Sequence, residues 1–360
     1  MHFGLTEEQQ LLQETVRGFV EGECPPTRLR ELFDEGKGHD PALWKGVSEM
    51  GLAGLMVPEE LGGAGLDLLE LALVMEEVGG GALPGPIFSH ALACLAIQLG
   101  GDDAQRRRWL PALASGDRIA TLALCEEGDV WDPEGYGVSL EGGGLRGTKR
   151  HVPHAAIADL LVVATAGGGF AVLERDASGV TIEDETGIDH SRPIAKLSLD
   201  AAPAEALSNA NLAVVSRVRD AALVLLAADA FGAAWNLTRQ TVEYAKSRQQ
   251  FGSPIAQFQS VKHQLANLAA ACEPLRGLVW YAAYAFDHLP QELPREAAAA
   301  KAHVTDTAVD VGRRAVELHG GIGFTWECDV QLWFKRAMFD RTFCGTPAHH
   351  RARIGALGDW

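Results

Sequence analysis

The chain has 360 residues, 47% of them apolar and 22% charged, which is enough for a large buried core divided among two or three domains and excludes a disordered chain. With 31 basic and 48 acidic residues its formal charge is −17, so the surface on average repels nucleic acid and anionic membranes. Local arginines still build positive pockets for a polyanion in such a protein, and Arg248 and Arg336 are the candidates.

Along the chain, residues 5–21 read as a helix: Thr6 followed by Glu7 and Glu8 gives an acidic first turn, and Leu11, Leu12, Val16, Phe19 and Val20 mark one apolar stripe. The opening MHFGLTEEQQ has no basic flank and no long apolar run, so neither a signal peptide nor a membrane span is expected. A second helical pattern runs from Ala42 to Leu52, the Pro58–Gly65 segment punctuates it as a loop, and helices follow at about 67–79, 86–99 and 102–115. The middle differs. Short strand candidates stand at 120–124, 136–140, 160–165, 169–173, 180–183 and 195–199, between glycine or acidic turns. From Asp220 to Ser247 apolar side chains occupy nearly every phase, which predicts a helix covered on most sides. Pro274 opens another helical run, Pro290 and Pro294 bracket the next turn, and 296–319 is a long alanine-rich helix. The expected organisation is α+β and mainly α: a helical domain over 1–117, a β domain over 118–205 and a helical domain over 206–360.

Six cysteines stand at 24, 94, 125, 272, 328 and 344. None makes a CxxC pair, and His319 with Cys328 has no companions at zinc spacing. Buried reduced thiols, no metal and a cytoplasmic compartment are therefore expected.

Two elements carry chemistry. In Tyr244–Gly252, continued by Pro254, Ile255, Phe258, Gln259, Lys262 and His263, Arg248 offers a rigid donor fork suited to a diphosphate, Phe251 an apolar face and Gln259 both donor and acceptor. By its residues alone the segment reads equally well as a helix end with a cation near its C-terminus. In Glu317–Thr325 a helix ends where Gly320, Gly321 and Gly323 permit close backbone approach. It follows a helix rather than a strand, so it is no Rossmann fingerprint, and alone it reads equally as a structural cap.

Together, at this distance and after a β domain, the two elements resemble the acyl-CoA dehydrogenase family. So do Leu5–Gln9, Pro58–Gly63, Gly147-Thr148-Lys149, Gly320–Glu327 and the Lys335-Arg336 pair, so the resemblance covers nearly the whole chain. It implies an N-terminal helical domain, a middle β domain and a C-terminal four-helix domain, usually in tetramers built from dimers, with FAD between the β and C-terminal domains and reaching a neighbouring subunit. It also implies that Arg248, Phe251 and Gln259 grip the neighbour's FAD, that Glu317, Gly320 and Gly321 line its other contact, and that Thr346 touches flavin. Glu317 stands where glutamine is usual and adds negative charge near a diphosphate unless Arg248 compensates.

The implied reaction removes an α-proton from an acyl-CoA thioester with a carboxylate and passes the β-hydride to flavin, and so on to electron-transfer flavoprotein or a similar acceptor. The family base lies in a Tyr-Glu-Gly-Thr segment that here reads Phe343-Cys344-Gly345-Thr346, or, in another branch, on the helix before the arginine motif, at a position filled by Ala222. Neither is a carboxylate, so no catalytic base is assigned to this chain. The β domain departs too. A Thr-Glu-Pro and Gly-Ser-Asp stretch is replaced by Leu124–Val130, and a flavin-touching Trp-Ile-Thr segment by His151-Val152-Pro153. This mixture is similar to the base-lacking subunit of heteromeric steroid-catabolic acyl-CoA dehydrogenases of actinobacteria, and implies an α2β2 assembly with a homologous, base-bearing partner. Two other readings stay open: a self-sufficient homomeric dehydrogenase using Cys344, Asp220 or another acid, and a non-enzymatic structural homologue.

Overall fold

A computed structural model describes residues 4–358. Helix α1, Glu7–Glu23, starts on a reciprocal cap: the Thr6 hydroxyl accepts from the Gln9 amide at 3.2 Å, and the Gln9 side chain accepts from the Thr6 amide at 2.9 Å. Helix α2, Pro26–Glu35, was not expected. It buries only a narrow stripe, Leu29, Leu32 and Phe33, on an otherwise charged segment, and that spacing is too short to stand out in the sequence. Helices α3 (Pro41–Glu49), α4 (Leu68–Gly80), α5 (Ile87–Gly100) and α6 (Asp103–Ala114) follow the expected pattern.

Eight strands then form two four-stranded sheets. They are β1 (Ala120–Ala123), β2 (Ser139–Glu141), β3 (Gly144–Pro153), β4 (Leu160–Thr165), β5 (Gly169–Glu174), β6 (Val180–Glu185), β7 (Ile194–Pro203) and β8 (Glu205–Ala206). The sheet orders are β1-β4-β5-β8 and β2-β3-β7-β6, with β1 parallel to β4 and the other pairs antiparallel. The sequence reading placed β2 at 136–140 and passed over β3, the longest strand alongside β7. Charged Arg146, Lys149 and Arg150 interrupt its alternation, and a bulge between Lys149 and Val152 shifts its register against β7.

Helix α7, Leu212–Ser247, starts eight residues earlier than expected. Every residue from Ala221 to Ala230 is buried, as an apolar pattern at all phases requires. By length and composition α7 would cross a membrane, but 89% of its most apolar stretch is buried inside the protein. A two-residue hairpin, β9 (Gln249–Gln250) with β10 (Ser253–Pro254), leads into α8 (Gln259–Cys272), α9 (Leu275–His288), α10 (Leu293–His319), α11 (Val330–Thr342) and α12 (Pro347–Leu357).

The chain divides into two compact units. One gathers Leu32–Leu71 and Pro84–Ala222, so α3, α5 and α6 belong with both sheets; α5 packs against β1. The other gathers the chain up to Glu31, Ala72–Leu83 and everything from Leu223 onward, a helical body in which α10 packs on α9, α11 and α12. Arg336 sits at its centre and is not a pocket cation. It is buried and donates to both oxygens of Asp229 at 2.7 and 2.6 Å and to the Leu83 carbonyl at 3.2 Å. A guanidinium fork wholly used by a buried carboxylate has nothing left for a ligand.

Candidate flavin and acyl-CoA site

In the helical unit the segment at the expected base position is a buried pedestal. Helix α11 stops at Thr342, and Cys344 and Gly345 both take left-handed backbone, φ 58° and 97°, before Thr346 caps α12. Cys344 is only 1% exposed. Its carbonyl accepts from His350 Nε2 at 2.8 Å, while Lys301 of α10, fully buried, donates to the Gly345 carbonyl at 2.9 Å and the Arg341 carbonyl at 3.2 Å. Burial pushes the Lys301 ammonium down to about 8, against the opposing pull of Cys344 and Asp340. Burial, with the Lys301 charge, pushes His350 down to about 3, so its imidazole is neutral at pH 7. Lys301 and His350 thus fix the chain around Cys344, and sequence reasoning missed both. The available signal was a single lysine at a buried phase of the run Ala297–Ala302.

Thr346 is exposed, and its hydroxyl caps α12 by accepting from the His349 amide at 3.4 Å. None of the six cysteines forms a disulfide; five are buried and Cys328 is half-buried.

The two cofactor elements lie elsewhere on the same unit. Arg248 ends α7 and is exposed, and among the described residues it makes no ion pair or side-chain hydrogen bond. Phe251 and Gly252 form the hairpin turn with φ 51° and 80°, which holds Phe251 out at 93% exposure, edge-on to Phe258. Gln259 opens α8 and is exposed. At the end of α10, Glu317, Gly320 and Gly321 are exposed, and Gly320–Phe324 is a 3-10 turn. The Tyr244 ring stacks on His319 at 4.3 Å and its hydroxyl donates to the His319 carbonyl at 3.2 Å, so the ends of α7 and α10 are tied together. The structure therefore unites the Arg248 element with the glycine turn. It does not bring Thr346 and Cys344 to them: the 18 residue-to-residue steps of α10 from Lys301 to His319 span roughly 27 Å at helical rise.

The three glycines differ. Gly320 has φ 66°, and a Cβ on Gly323 would lie 2.4 Å from the Val316 carbonyl, so the fold itself needs both. A Cβ on Gly321 would meet nothing of this chain. An open glycine and an exposed arginine, on segments tied through Tyr244 and His319, fit a diphosphate laid against this rim. Glu317 makes no ion pair with Arg248 among the described residues.

The β-bearing unit holds the other expected positions. Ala222 is buried and carries no polar group. Asp220 is buried and accepts from the Arg219 guanidinium at 3.2 Å, which also reaches Asp132 at 3.3 Å. Lys149 is buried on β3 and donates to Glu126 at 2.7 Å and to the Leu124 carbonyl at 2.9 Å; burial pushes it down to about 8 while Glu126 pulls it up. Pro153 offers neither hydroxyl nor N–H. Residues that fit a flavin's phosphates are thus present on the helical unit, whereas the β residues expected to face its ring system are replaced.

Comparison with known proteins bears on this pattern. The acyl-CoA dehydrogenase N-terminal domain matches residues 6–117, and the C-terminal domain of the same family matches residues 213–357. The chain is 34% identical to acyl-CoA dehydrogenase IpdE2 of Mycobacterium tuberculosis over 333 residues, 92% of this chain and 91% of that one. Among solved structures, a variant of the Tcur3481–Tcur3483 steroid ACAD superposes with a TM-score of 0.89 at 32% identity, covering 98% of this chain and 97% of that one. The ChsE4–ChsE5 complex from Mycobacterium tuberculosis superposes with a TM-score of 0.89 at 26% identity, covering 99% and 98%.

Proposed function

This chain belongs to the acyl-CoA dehydrogenase family, whose members are FAD-dependent oxidoreductases, and we propose that within it the protein is the base-lacking subunit of a two-chain enzyme. The observation that carries the reading is a contrast inside one unit. The expected base position holds a buried cysteine whose backbone is fixed by Lys301 and His350, while Arg248, Phe251, Gln259, Glu317, Gly320 and Gly321 stand exposed, and among the described residues Arg248 makes no ion pair or side-chain hydrogen bond. Arg248 holds the diphosphate of an FAD seated mainly in a homologous partner, Gly321 lets the backbone come close to it, and Phe251 covers it from water. When bound, the flavin accepts the hydride from the substrate β-carbon. The partner's carboxylate takes the α-proton. Thr346, already engaged as a helix cap, has an exposed hydroxyl available to a flavin. The assembly is α2β2, and a bound FAD would supply the electron-carrying chemistry between substrate and electron-transfer flavoprotein or a similar acceptor.

Two solved relatives are named as pairs of chains, and one of them as a steroid ACAD, which supports a heteromeric assembly and a bulky steroid-derived thioester as substrate. The test is coexpression with a base-bearing homologue. A yellow complex that bleaches on adding acyl-CoA, alongside an inactive isolated chain, is expected. Full activity of the isolated chain, with one competent site per polypeptide, overturns the proposal in favour of a self-sufficient enzyme.

A further inference from the structure

The β-bearing unit gathers three side chains of a kind that binds transition metals. Cys125 follows β1, Asp129 lies in the turn closed by the Glu126–Val130 bridge, and His151 lies in the β3 bulge. Cys125 Sγ, an Asp129 carboxylate oxygen and a His151 ring nitrogen all lie within 4.8 Å of one another. Their separations in sequence, 4 and 22 residues, match no zinc spacing, so the expectation of no metal rested on the chain's order and not on its geometry.

A carboxylate stands behind the histidine. His151 Nδ1 lies 2.9 Å from Glu185 Oε2, while Nε2 turns to Asp129 at 3.3 Å. Glu185 is itself held, accepting from Arg150 Nε at 2.5 Å and from the His151 amide at 2.8 Å. The Nδ1 contact has hydrogen-bond distance without hydrogen-bond alignment, so Nδ1 is left without a partner, and a small ring rotation would give it the carboxylate that metal-binding histidines almost always have behind them. The bulge turns the ring out of the strand's alternation, and Trp131 stacks beside it at 6.3 Å. Lys149 lies within electrostatic reach of Cys125, but its charge is already met by Glu126.

We propose that Cys125, Asp129 and His151 form a three-ligand site for a zinc-type divalent cation, with Glu185 orienting His151. A thiolate, an imidazole and a carboxylate suit a borderline-soft ion with tetrahedral preference, and two anionic ligands balance its charge. On such an ion, donors stand about 3.5 Å apart, so the cluster contracts by about 1 Å on loading. Asp129 is exposed on a turn and supplies the movement; its exposure also gives the ion its way in. Water fills the fourth position.

The test is cobalt(II) titration of the chelator-stripped, full-length chain, followed by zinc. Saturation at one equivalent is expected, with a near-ultraviolet thiolate-to-cobalt charge-transfer band and the visible bands of a four-coordinate ion, all bleached by zinc. Glu185→Gln should weaken binding about 10–100-fold, and Cys125→Ser should remove the charge-transfer band. Should Cys125→Ser fail to fold, Asp129→Asn replaces it, because asparagine tolerates the left-handed backbone found there (φ 57°), and a loss of at least tenfold in affinity is expected. Absence of saturable binding, a six-coordinate spectrum without the charge-transfer band, or unchanged affinity in Asp129→Asn overturns the site.

Discussion

The two regions at either end of α10 are built from the same kinds of residue and differ in whom they serve. Around Cys344, the carbonyls of Arg341, Cys344 and Gly345 all receive donors from Lys301 and His350, and the polar chemistry is consumed within the chain. Around Gly320, Arg248, Phe251 and Gly321 stand exposed, and among the described residues Arg248 makes no ion pair or side-chain hydrogen bond. A buried lysine is spent on holding a turn, whereas an exposed arginine without a partner is a group awaiting one. The difference separates residues that the fold consumes from residues that it leaves exposed, and the proposed assembly would use the second group.

The largest expected effect tests the interior. Arg336→Met strands the Asp229 carboxylate at the centre of the helical unit and should destabilise the protein by about 3–5 kcal/mol, read by denaturant unfolding. A loss below 1 kcal/mol would show that the pair is not structural.

Lys301 tests the pedestal through pH. Its ammonium ionises at about 8 in the folded chain against 10.5 in the unfolded one, so between these values the unfolded state holds more protons and stability rises with pH. Wild type should therefore gain on the order of 2 kcal/mol relative to Lys301→Met from about pH 8 to pH 10. Parallel stability curves for the two proteins would remove the buried charge from the account.

The rim should respond in the opposite way. Arg248→Ala leaves folding within about 0.5 kcal/mol of wild type, since the side chain is exposed and unpaired, yet weakens FAD retention in the two-chain complex about 10–100-fold. Retained flavin at wild-type affinity would empty the rim of its role. The glycines sharpen the point. Gly323→Ala should cost about 1–2 kcal/mol of stability through its clash with Val316, whereas Gly321→Ala costs the fold nothing and loosens FAD in the complex. Equal thermal shifts in the two variants would contradict that division.

The smallest effect is the most discriminating. Cys344→Ser should leave turnover of the complex within about threefold, because a positioned general base contributes about 10²–10⁴ and this thiol is not one. A fall of 10² or more would make Cys344 the base.

Much of this was legible beforehand. The Thr6 start of α1, the all-round apolar pattern of α7, the glycine turn after Glu317 and the exposed arginine element all depend on neighbours within a few residues, and local preference is written locally. Helix α2 and strand β3 were not legible, since one buries a stripe of three side chains and the other alternates imperfectly across a bulge. Arg336 misled for a related reason. A cation in sequence carries no mark of the carboxylate, here 107 residues earlier, that consumes it.

The sequence by itself determined the family and that neither Cys344 nor Ala222, the positions where the resemblance places a base, is a carboxylate, because residue identity at a motif needs no coordinates. Only the tertiary structure decided which polar groups are already satisfied, since hydrogen-bonding capacity is exhausted by contacts distant in the chain. It separated Lys301 from Arg248, Gly323 from Gly321, and a scattered Cys125, Asp129 and His151 from the cluster that they form.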